Sequence, residues 1–428
     1  MIRPTLRSTL AAVGLLFASA PAMAETVDDI ARDYVALSLE IGEREPGYID
    51  AYYGPAEVAE KAKVAPRELP ALAAAVAAID TRLAAQSAPA GGMDARRIAF
   101  LSAQLRAAET RLRMLRGEKL TFEAEAVGLF GVRPELKPLT DYDPILARIE
   151  ALLPGDGALA DRVDAFQMEH RIPPQKLEPV MRAAIAECRA RTARHIALSK
   201  AERFDLEFVT GKPWSGYNWY KGGAVSLIQI NTDLPIFASR AVDLGCHEGY
   251  PGHHALNALL EAKLARGKGW QEFTVYPLFS PQSFIAEGTA NYGIHLAFPA
   301  KERMAFEKRV VFPLAGLDPA GADRYFELTE AMEALSGARL TIARDYLDGA
   351  IDRETAIELT RKYQLVSRAR ASQSVDFTDT YRSYVINYGL GQEMARAFVE
   401  RSAIDAKGRW RAMEALISEP TLPADLER

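Results

Sequence analysis

The chain has few cysteines and no excess of positive charge. Two cysteines among 428 residues do not make a disulfide-scaffolded protein, and Cys246 is interpreted as a small buried packing residue. A formal net charge of −5 argues against a nucleic-acid-binding protein, which needs a basic surface. The sequence also lacks internal repeats and low-complexity blocks. Its 49% hydrophobic and 25% charged residues are ordinary for a globular protein.

A short apolar run lies at the N-terminus. Two arginines precede an apolar stretch from Leu10 to Ala20, and an Ala-Met-Ala sequence ending at Ala24 fits a signal-peptidase site. The run is too short for a stable transmembrane span, and no cysteine follows the site to carry a lipid anchor. We therefore expect a signal peptide over residues 1–24. The mature chain should begin at Glu25, without a membrane span, and be periplasmic or secreted.

Three of the six histidines lie in one short segment, His247-Glu248-Gly249-Tyr250-Pro251-Gly252-His253-His254. Neutral imidazoles bind zinc, and a neighbouring carboxylate can take a proton from zinc-bound water. The segment therefore indicates a zinc hydrolase site. The alternative is a kinked helix pair with surface histidines. The other three histidines are isolated and are interpreted as structural: His170, His195 and His295.

The spacing of these histidines requires a break in the helix. On a straight helix His253 is rotated by about 600° from His247, and His254 lies about 10.5 Å further along the axis. Two nitrogens bound to one zinc at about 2.0–2.1 Å cannot be that far apart. Pro251 disfavours the α conformation at the residue before it and suits the first position of a helix. We therefore predict that one helix ends near Glu248 and that a second begins at Pro251, which would bring His253 back toward His247.

A catalytic zinc site needs a third protein ligand. The candidate is Glu287, in a predicted helix whose small residues Ala286, Gly288 and Ala290 suit close helix packing around a buried ion. Without the upstream histidines, an exposed glutamate on a helix surface would be the default interpretation. We therefore predict one Zn²⁺ bound by His247, His253 and Glu287, with His253 favoured over His254 because the restart of the helix at Pro251 brings it nearer to His247.

These segments resemble the bacterial family known as domain of unknown function 885, nearly end to end in the mature chain. The resemblance is carried by His247 to His254, Phe284-Ile285-Ala286-Glu287-Gly288, Tyr48 to Pro55, Leu129 to Pro134, Gly211 to Tyr220, Ile228 to Asp233 and Tyr381 to Tyr388. Members of the family are regarded as gluzincin-type zinc metallopeptidases, similar in layout to carboxypeptidase Taq. The resemblance implies that His247, His253 and Glu287 are metal ligands and that Glu248 is the general base. It leaves His254 as a rival to His253 and does not supply the substrate.

Two tyrosines are candidate donors to the oxyanion that forms during hydrolysis. Tyr384, followed by Tyr388, lies in a tyrosine-rich segment, and a phenolic O–H suits this role. The alternative for each is core packing with a satisfied hydroxyl group.

Several other residues are candidates for substrate binding. Gln229 and Asn231 lie on a predicted strand that leads toward the metal motif, where gluzincins pair an edge strand with the substrate backbone. His254, if it is not a ligand, is free to act beside the metal or toward the substrate. Candidate partners for the terminal carboxylate of a substrate are Arg368, Arg370 and Arg382. An arginine that faces the metal would favour a carboxypeptidase, and a carboxylate cluster would favour an aminopeptidase.

Helical periodicity dominates the chain. Helices are predicted over residues 26–42, 69–83, 96–115, 142–153, 173–198, 283–298, 301–312, 320–347, 352–363 and 377–401. Strands are predicted only over residues 204–209 and 225–231, with an aromatic, glycine-containing loop over 214–223 between them. The expected fold is mainly α, a large helical metallopeptidase-like fold with a small β element beside the metal site and a deep cleft. An N-terminal helical region (25–200) and a metal-bearing region (201–428) would form two domains or one.

The combined features predict a zinc-dependent peptidase that acts on a peptide or a small amide. Glu248 would accept a proton from the metal-bound water and pass it to the leaving amine. Two alternatives stay open: a metal-dependent hydrolase of non-peptide amides or esters, and a noncatalytic periplasmic binding protein.

Overall fold

The computed structural model describes residues 25–87 and 91–427, so the predicted signal peptide lies outside the described residues. The helices are α1 (Val27–Arg44), α2 (Ala56–Val64), α3 (Leu69–Ala84), α4 (Gly92–Leu115), α5 (Phe122–Phe130), α6 (Asp143–Leu152), α7 (Leu159–Met168), α8 (Leu177–Thr192), α9 (Ala238–Leu244), α10 (His253–Leu260), α11 (Pro281–Ala297), α12 (Ala300–Phe306), α13 (Phe312–Ala315), α14 (Ala322–Glu333), α15 (Ala338–Leu347), α16 (Arg353–Gln364), α17 (Arg368–Tyr381), α18 (Ile386–Ser402) and α19 (Ala406–Leu416). The strands are β1 (Ile49–Tyr52), β2 (Arg203–Val209), β3 (Gly216–Gly222), β4 (Val225–Asn231) and β5 (Val275–Pro277). The predicted mainly α fold with a small β element is confirmed. Within the described residues, no helix combines the length and the apolar character that a membrane span requires.

The first helix forms for reasons that are visible in the sequence. Thr26 caps α1 through a reciprocal pair of hydrogen bonds with Asp29, which satisfies backbone donors at the helix start. Its apolar residues recur on one face, and Ile30, Tyr34 and Leu37 are all buried. The predicted helix over 26–42 is confirmed.

The small sheet contains one more strand than predicted. Strands β2 and β4 pair in parallel, β3 pairs antiparallel with β4, and the order is β2-β4-β3. The loop predicted over 214–223 is therefore wrong across most of its length. Alternation explains the difference, because Asn218 and Tyr220 are buried while Tyr217 and Trp219 lie on the other, half-buried face.

Two long predicted helices are interrupted. The helix predicted over 320–347 is divided between α14 and α15, and the helix predicted over 377–401 is broken at Arg382–Val385. Arg382 has a φ of 53°, and the buried carboxylate of Glu125 accepts hydrogen bonds from the side chain of Arg382 and the backbone N–H of Ser383. These hydrogen bonds to Glu125 replace the regular backbone hydrogen bonds that a continuous α-helix would form here.

Helix α11 is buried along nearly all its length and packs against α18. At the contact, a methyl group on Gly288 would lie 2.5 Å from the backbone of Gly391, so a larger residue would force the helices apart. The main apolar core extends from α1 to the end of the chain, and a second cluster lies between α6, α7 and α14 to α17. The division between residues 25–200 and 201–428 stays a prediction.

The two cysteines form a disulfide, which corrects the interpretation of Cys246 as a packing residue alone. Cys188 in α8 is bonded to Cys246, with a Cα–Cα distance of 5.3 Å, and both side chains are buried. The bond ties α8 to the segment that carries the metal motif.

Candidate metal centre and active site

The chain breaks between the histidines, as the spacing requires. Helix α9 passes into a π-helical turn over Gly245–Gly249, and Tyr250 then adopts an extended conformation with φ −133° and ψ 124°. The Tyr250–Pro251 peptide bond is cis. The second helix begins at His253, two residues later than predicted.

Gly252 allows the chain to fold back onto the first helix. Its backbone N–H donates to the carbonyl of Cys246 at 3.1 Å. A methyl group at Gly252 would lie only 1.8 Å from the carbonyl oxygen of His247, so this position requires glycine. The reversal places the imidazole of His253 beside that of His247.

The three predicted ligands lie together. The Nε2 atoms of His247 and His253 are 3.1 Å apart, and Oε2 of Glu287 lies 3.1 Å from the first and 3.5 Å from the second. A tetrahedral zinc with bonds of about 2.0–2.1 Å separates its ligand atoms by about 3.3 Å. The triangle therefore has the size of one face of a zinc coordination tetrahedron.

Hydrogen bonds to His247 and Glu287 orient the lone pairs of these two side chains toward the centre of the triangle formed with His253. Nδ1 of His247 lies 3.0 Å from Oδ1 of Asn291, whose amide group donates to the backbone carbonyl of Tyr388. Nδ1 therefore carries the proton, and Nε2 presents its lone pair. The Tyr384 hydroxyl donates to Oε1 of Glu287 at 2.7 Å, while Oε2 is buried without a hydrogen-bond partner among the described residues. An unpartnered buried carboxylate oxygen facing two imidazoles fits a metal ion.

The electrostatics of the site also favour a positive charge there. Burial lowers the pKa of His253, but Glu287 outweighs this effect and the pKa is raised to about 9. Burial raises the pKa of Glu287, yet the charges of the nearby His253 and His247 hold it below its usual range. Two further carboxylates, Glu248 and Asp50, act on His253 in the same direction. A divalent cation bound here would offset the negative charge of these carboxylates.

Glu248 faces the cavity beside the metal triangle. Its pKa is raised, first by burial and then by Glu287, against the opposing charges of His247 and His253. A methyl group at Gly216 would lie 2.7 Å from Oε1 of Glu248, so the missing side chain in β3 leaves room for this carboxylate. Among the described residues, none donates a hydrogen bond to the carboxylate, which leaves it available to water.

Two adjoining cavities meet at His247 and Glu248 and form a cleft. The first has a volume of about 50 Å³ and contains the metal triangle, Asp50 and the tyrosines 381, 384 and 388. The second has a volume of about 350 Å³ and extends away from the metal past three arginines.

Two predicted substrate contacts on β4 are wrong. Strand β4 is the central strand of the sheet, so neither of its edges is free. Gln229 bonds to Glu207 and Trp219 across the sheet, and Asn231 holds the backbone of the preceding loop. The strand that lines the cleft is β3, through Gly216, Tyr217 and Asn218.

His254 and Arg382 also lie away from the substrate cleft. His254 is fully buried behind the metal motif, where Nδ1 lies 2.7 Å from Oγ of Ser226, and burial lowers its pKa to about 4. Arg382 is paired with the buried Glu125. Neither lines the cavities, and His254 takes no part in the metal triangle. The expectation that either contacts substrate is therefore wrong.

The two remaining candidate arginines differ in their position relative to the cleft. Arg368 is exposed and paired with Glu354 and Glu358, whereas Arg370 lines the second cavity. The isolated histidines 170, 195 and 295 lie outside the metal triangle.

Several residues of the cleft were missed from sequence, and four of them bear on its chemistry. Asp50 lies within a segment that carried the family resemblance, but no role was assigned to it; burial raises its pKa to about 6. Asn291 follows Glu287 by four residues, and this helical spacing could have placed both on one face. Arg240 and Arg339 reach the cleft from α9 and α15, and no sequence pattern marks them.

Sequence comparisons give no family assignment. No protein-family model matches the chain, and no curated protein matches it. The resemblance to domain of unknown function 885 stays a prediction from motifs.

The solved structures that match this chain include a lipoprotein and a carboxypeptidase. A crystal structure described as a "putative lipoprotein" from Colwellia psychrerythraea has 15% sequence identity and a TM-score of 0.54, covering 83% of this chain and 65% of that one. This chain thus spans just under two thirds of that protein's length, and the likeness concerns the fold alone. An M32 carboxypeptidase from Deinococcus radiodurans R1 has 15% identity over 93% of both chains, with a TM-score of 0.41, too low to establish a shared fold.

Proposed function

We propose that the protein is a zinc-dependent peptidase. The observation that carries this proposal is the triangle of His247, His253 and Glu287 with the free carboxylate of Glu248 beside it. A zinc ion bound there supplies a water of lowered pKa and a Lewis acid for the scissile carbonyl. The cleft beside this triangle accommodates the substrate.

Glu248 acts as the general base. Its carboxylate is buried, and its raised pKa brings it nearer to the pH at which a base can both accept and return a proton. The backbone carbonyl of Glu248 accepts a hydrogen bond from Asn218 at 2.6 Å, which fixes the turn that carries the carboxylate.

Tyr388 is the better of the two oxyanion donors. The hydroxyl of Tyr384 is already engaged by Glu287, so Tyr384 positions the third ligand. Tyr388 lines both cavities, and its ring lies 6.2 Å from the ring of His247. Its O–H, which also lies near Glu287, would donate to an oxygen that becomes negative near the metal.

Strand β3 offers a backbone edge to the substrate. It is an outer strand of its sheet, and three consecutive residues at its start line the metal cavity. Peptides commonly bind proteins by adding a strand to such an edge. This role replaces the one expected for β4.

Export of the mature chain is consistent with the structure. The Cys188–Cys246 disulfide is typical of proteins that fold in an oxidising compartment. We propose that cleavage after Ala24 releases the chain to such a compartment.

The Glu248→Gln variant tests the proposed activity. The amide has nearly the same size but cannot accept the proton, so zinc binding should persist and hydrolysis should fall by about 10²–10⁴-fold. Turnover of a fluorogenic peptide panel and metal content are measured on the same preparations. Glu207→Gln is the matched control, because Glu207 is an exposed residue on the outer strand β2 and does not line the cleft. This variant should retain wild-type turnover. Near-normal turnover by Glu248→Gln would exclude its role as the base.

A further inference from the structure

The second cavity is lined by three arginines and opens beside the metal triangle. They are Arg240 in α9, Arg339 in α15 and Arg370 in α17. The carboxylates along its wall are Asp243 and Glu248. Asp243 is already shared by Arg240, at 3.3 Å, and Arg303, at 2.7 Å, so it does not neutralise the other two arginines.

Arg339 is the least satisfied of the three. Its Nε is buried without a hydrogen-bond partner, and no carboxylate pairs with it among the described residues. Its guanidinium lies 4.9 Å from the ring centre of Phe377 and 6.0 Å from that of Tyr388, two residues that also line the metal cavity. Burial of a charged group without an ion-pair partner is costly unless a ligand completes the pairing.

Arg370 is similarly available. It donates to the backbone carbonyl of Pro235 at 2.6 Å and lies against the ring of Phe237. Asp164 acts on it only through its charge, and no carboxylate in the described part of the chain forms an ion pair with it. Burial, followed by the nearby charge of Arg240, lowers its pKa to about 10, so it is still cationic at neutral pH. A second anchored guanidinium therefore faces the same cavity.

We propose that Arg339, with Arg370 and Arg240, forms a subsite for a carboxylate of the peptide substrate. The inference rests on the proposed peptidase function and names the substrate feature that the cleft recognises. Planar guanidinium groups bind carboxylates through paired, charge-assisted hydrogen bonds. The carboxylate can be the C-terminus of the peptide or an acidic side chain, and both would lie on the arginine side of the metal.

Binding to three short peptides distinguishes these sources. The probes are acetylated alanine tripeptide as the free acid, the same peptide as the amide, and acetyl-alanyl-alanyl-glutamate amide. Zinc-loaded Glu248→Gln protein is titrated with each by calorimetry, because this variant binds without hydrolysis. A charge-assisted hydrogen bond predicts at least about 10-fold tighter binding of one or both carboxylate peptides than of the neutral amide. Preference for the free acid assigns the C-terminus, and preference for the glutamyl amide assigns an acidic side chain.

Adding Arg339→Gln should remove most of this preference. Adding Arg368→Gln, which changes an exposed arginine outside the cleft, should leave it intact. Arg370→Gln provides a second test if the melting temperature shows that Arg339→Gln does not fold. Equal binding of the three peptides, no binding of any, or a preference unchanged in the folded arginine variants would overturn the subsite.

Hydrolysis separates this result from the proposed function. Glu248-dependent cleavage of peptides without any carboxylate preference would overturn the subsite and leave the peptidase assignment. Selective binding of carboxylate peptides by a protein that hydrolyses no peptide would overturn the peptidase assignment and leave the subsite.

Discussion

At the scale of single residues, the proposed metal centre depends on groups that orient its candidate ligands. Asn291 accepts the Nδ1 proton of His247, and Tyr384 donates to Glu287. Both contacts fix a side chain whose other polar atom faces the triangle. Such contacts raise metal affinity because the ligands are held in place before the ion binds.

Asn291→Leu tests this orientation. Loss of the acceptor frees the His247 ring, so zinc affinity should fall by about 10–100-fold. Competition with a chromophoric chelator measures the change. Thr289→Val, on the same helix, is the control, because its hydroxyl bonds only to the helix backbone. Unaltered affinity in Asn291→Leu would contradict the proposed role.

Residue chemistry was enough to predict which three side chains lie together as candidate ligands, but not what surrounds them. His247, His253 and Glu287 are the residue types that bind zinc, and Pro251 marked the break that unites them. The substrate residues were harder, since Gln229 and Asn231 have the chemistry to bind a peptide but are occupied by neighbours in the sheet. Arg339 reaches the cleft only through tertiary packing, which no local pattern encodes.

At the scale of elements, the turn between α9 and α10 determines the site. Gly252 approaches the carbonyl of His247 too closely for any side chain, whereas Gly249 has ordinary space around it. The sequence predicted this break because proline and glycine restrict local conformation. It did not predict the third strand of the sheet, because the glycines at the ends of β3 suggested a loop.

Gly252→Ala and Gly249→Ala form a matched pair. The first should lower the free energy of unfolding by about 1–3 kcal/mol, as overpacking does, and weaken zinc binding. The second should be tolerated, because its methyl group would meet Ile185 at 3.5 Å. Urea unfolding of both variants measures the difference. Equal stability of the two variants would contradict the tight turn.

At the scale of the whole molecule, the disulfide joins distant parts of the chain. It closes a loop of 58 residues between α8 and the metal motif. The pairing could not be inferred from sequence, because two cysteines separated by that distance bond only if the fold brings them together. The mainly α fold was predictable from periodicity, whereas the breaks at α14–α15 and α17–α18 depend on tertiary contacts such as those of Glu125.

Replacing both Cys188 and Cys246 with alanine should destabilise the protein by about 2–4 kcal/mol, because the unfolded chain gains freedom. Urea unfolding with and without a reductant measures this. The midpoint of the wild type should fall on reduction, while that of the double variant should not respond. A wild-type midpoint that is independent of reductant would contradict the bond.

Metal content is the most direct test of the central claim. Elemental analysis should find about one zinc per chain in the wild type, as a single site with three protein ligands requires. His253→Ala should lose the metal, because His253 supplies one corner of the triangle, and His254→Gln should retain it, because His254 lies outside. Zinc retained by His253→Ala but lost from His254→Gln would contradict the account.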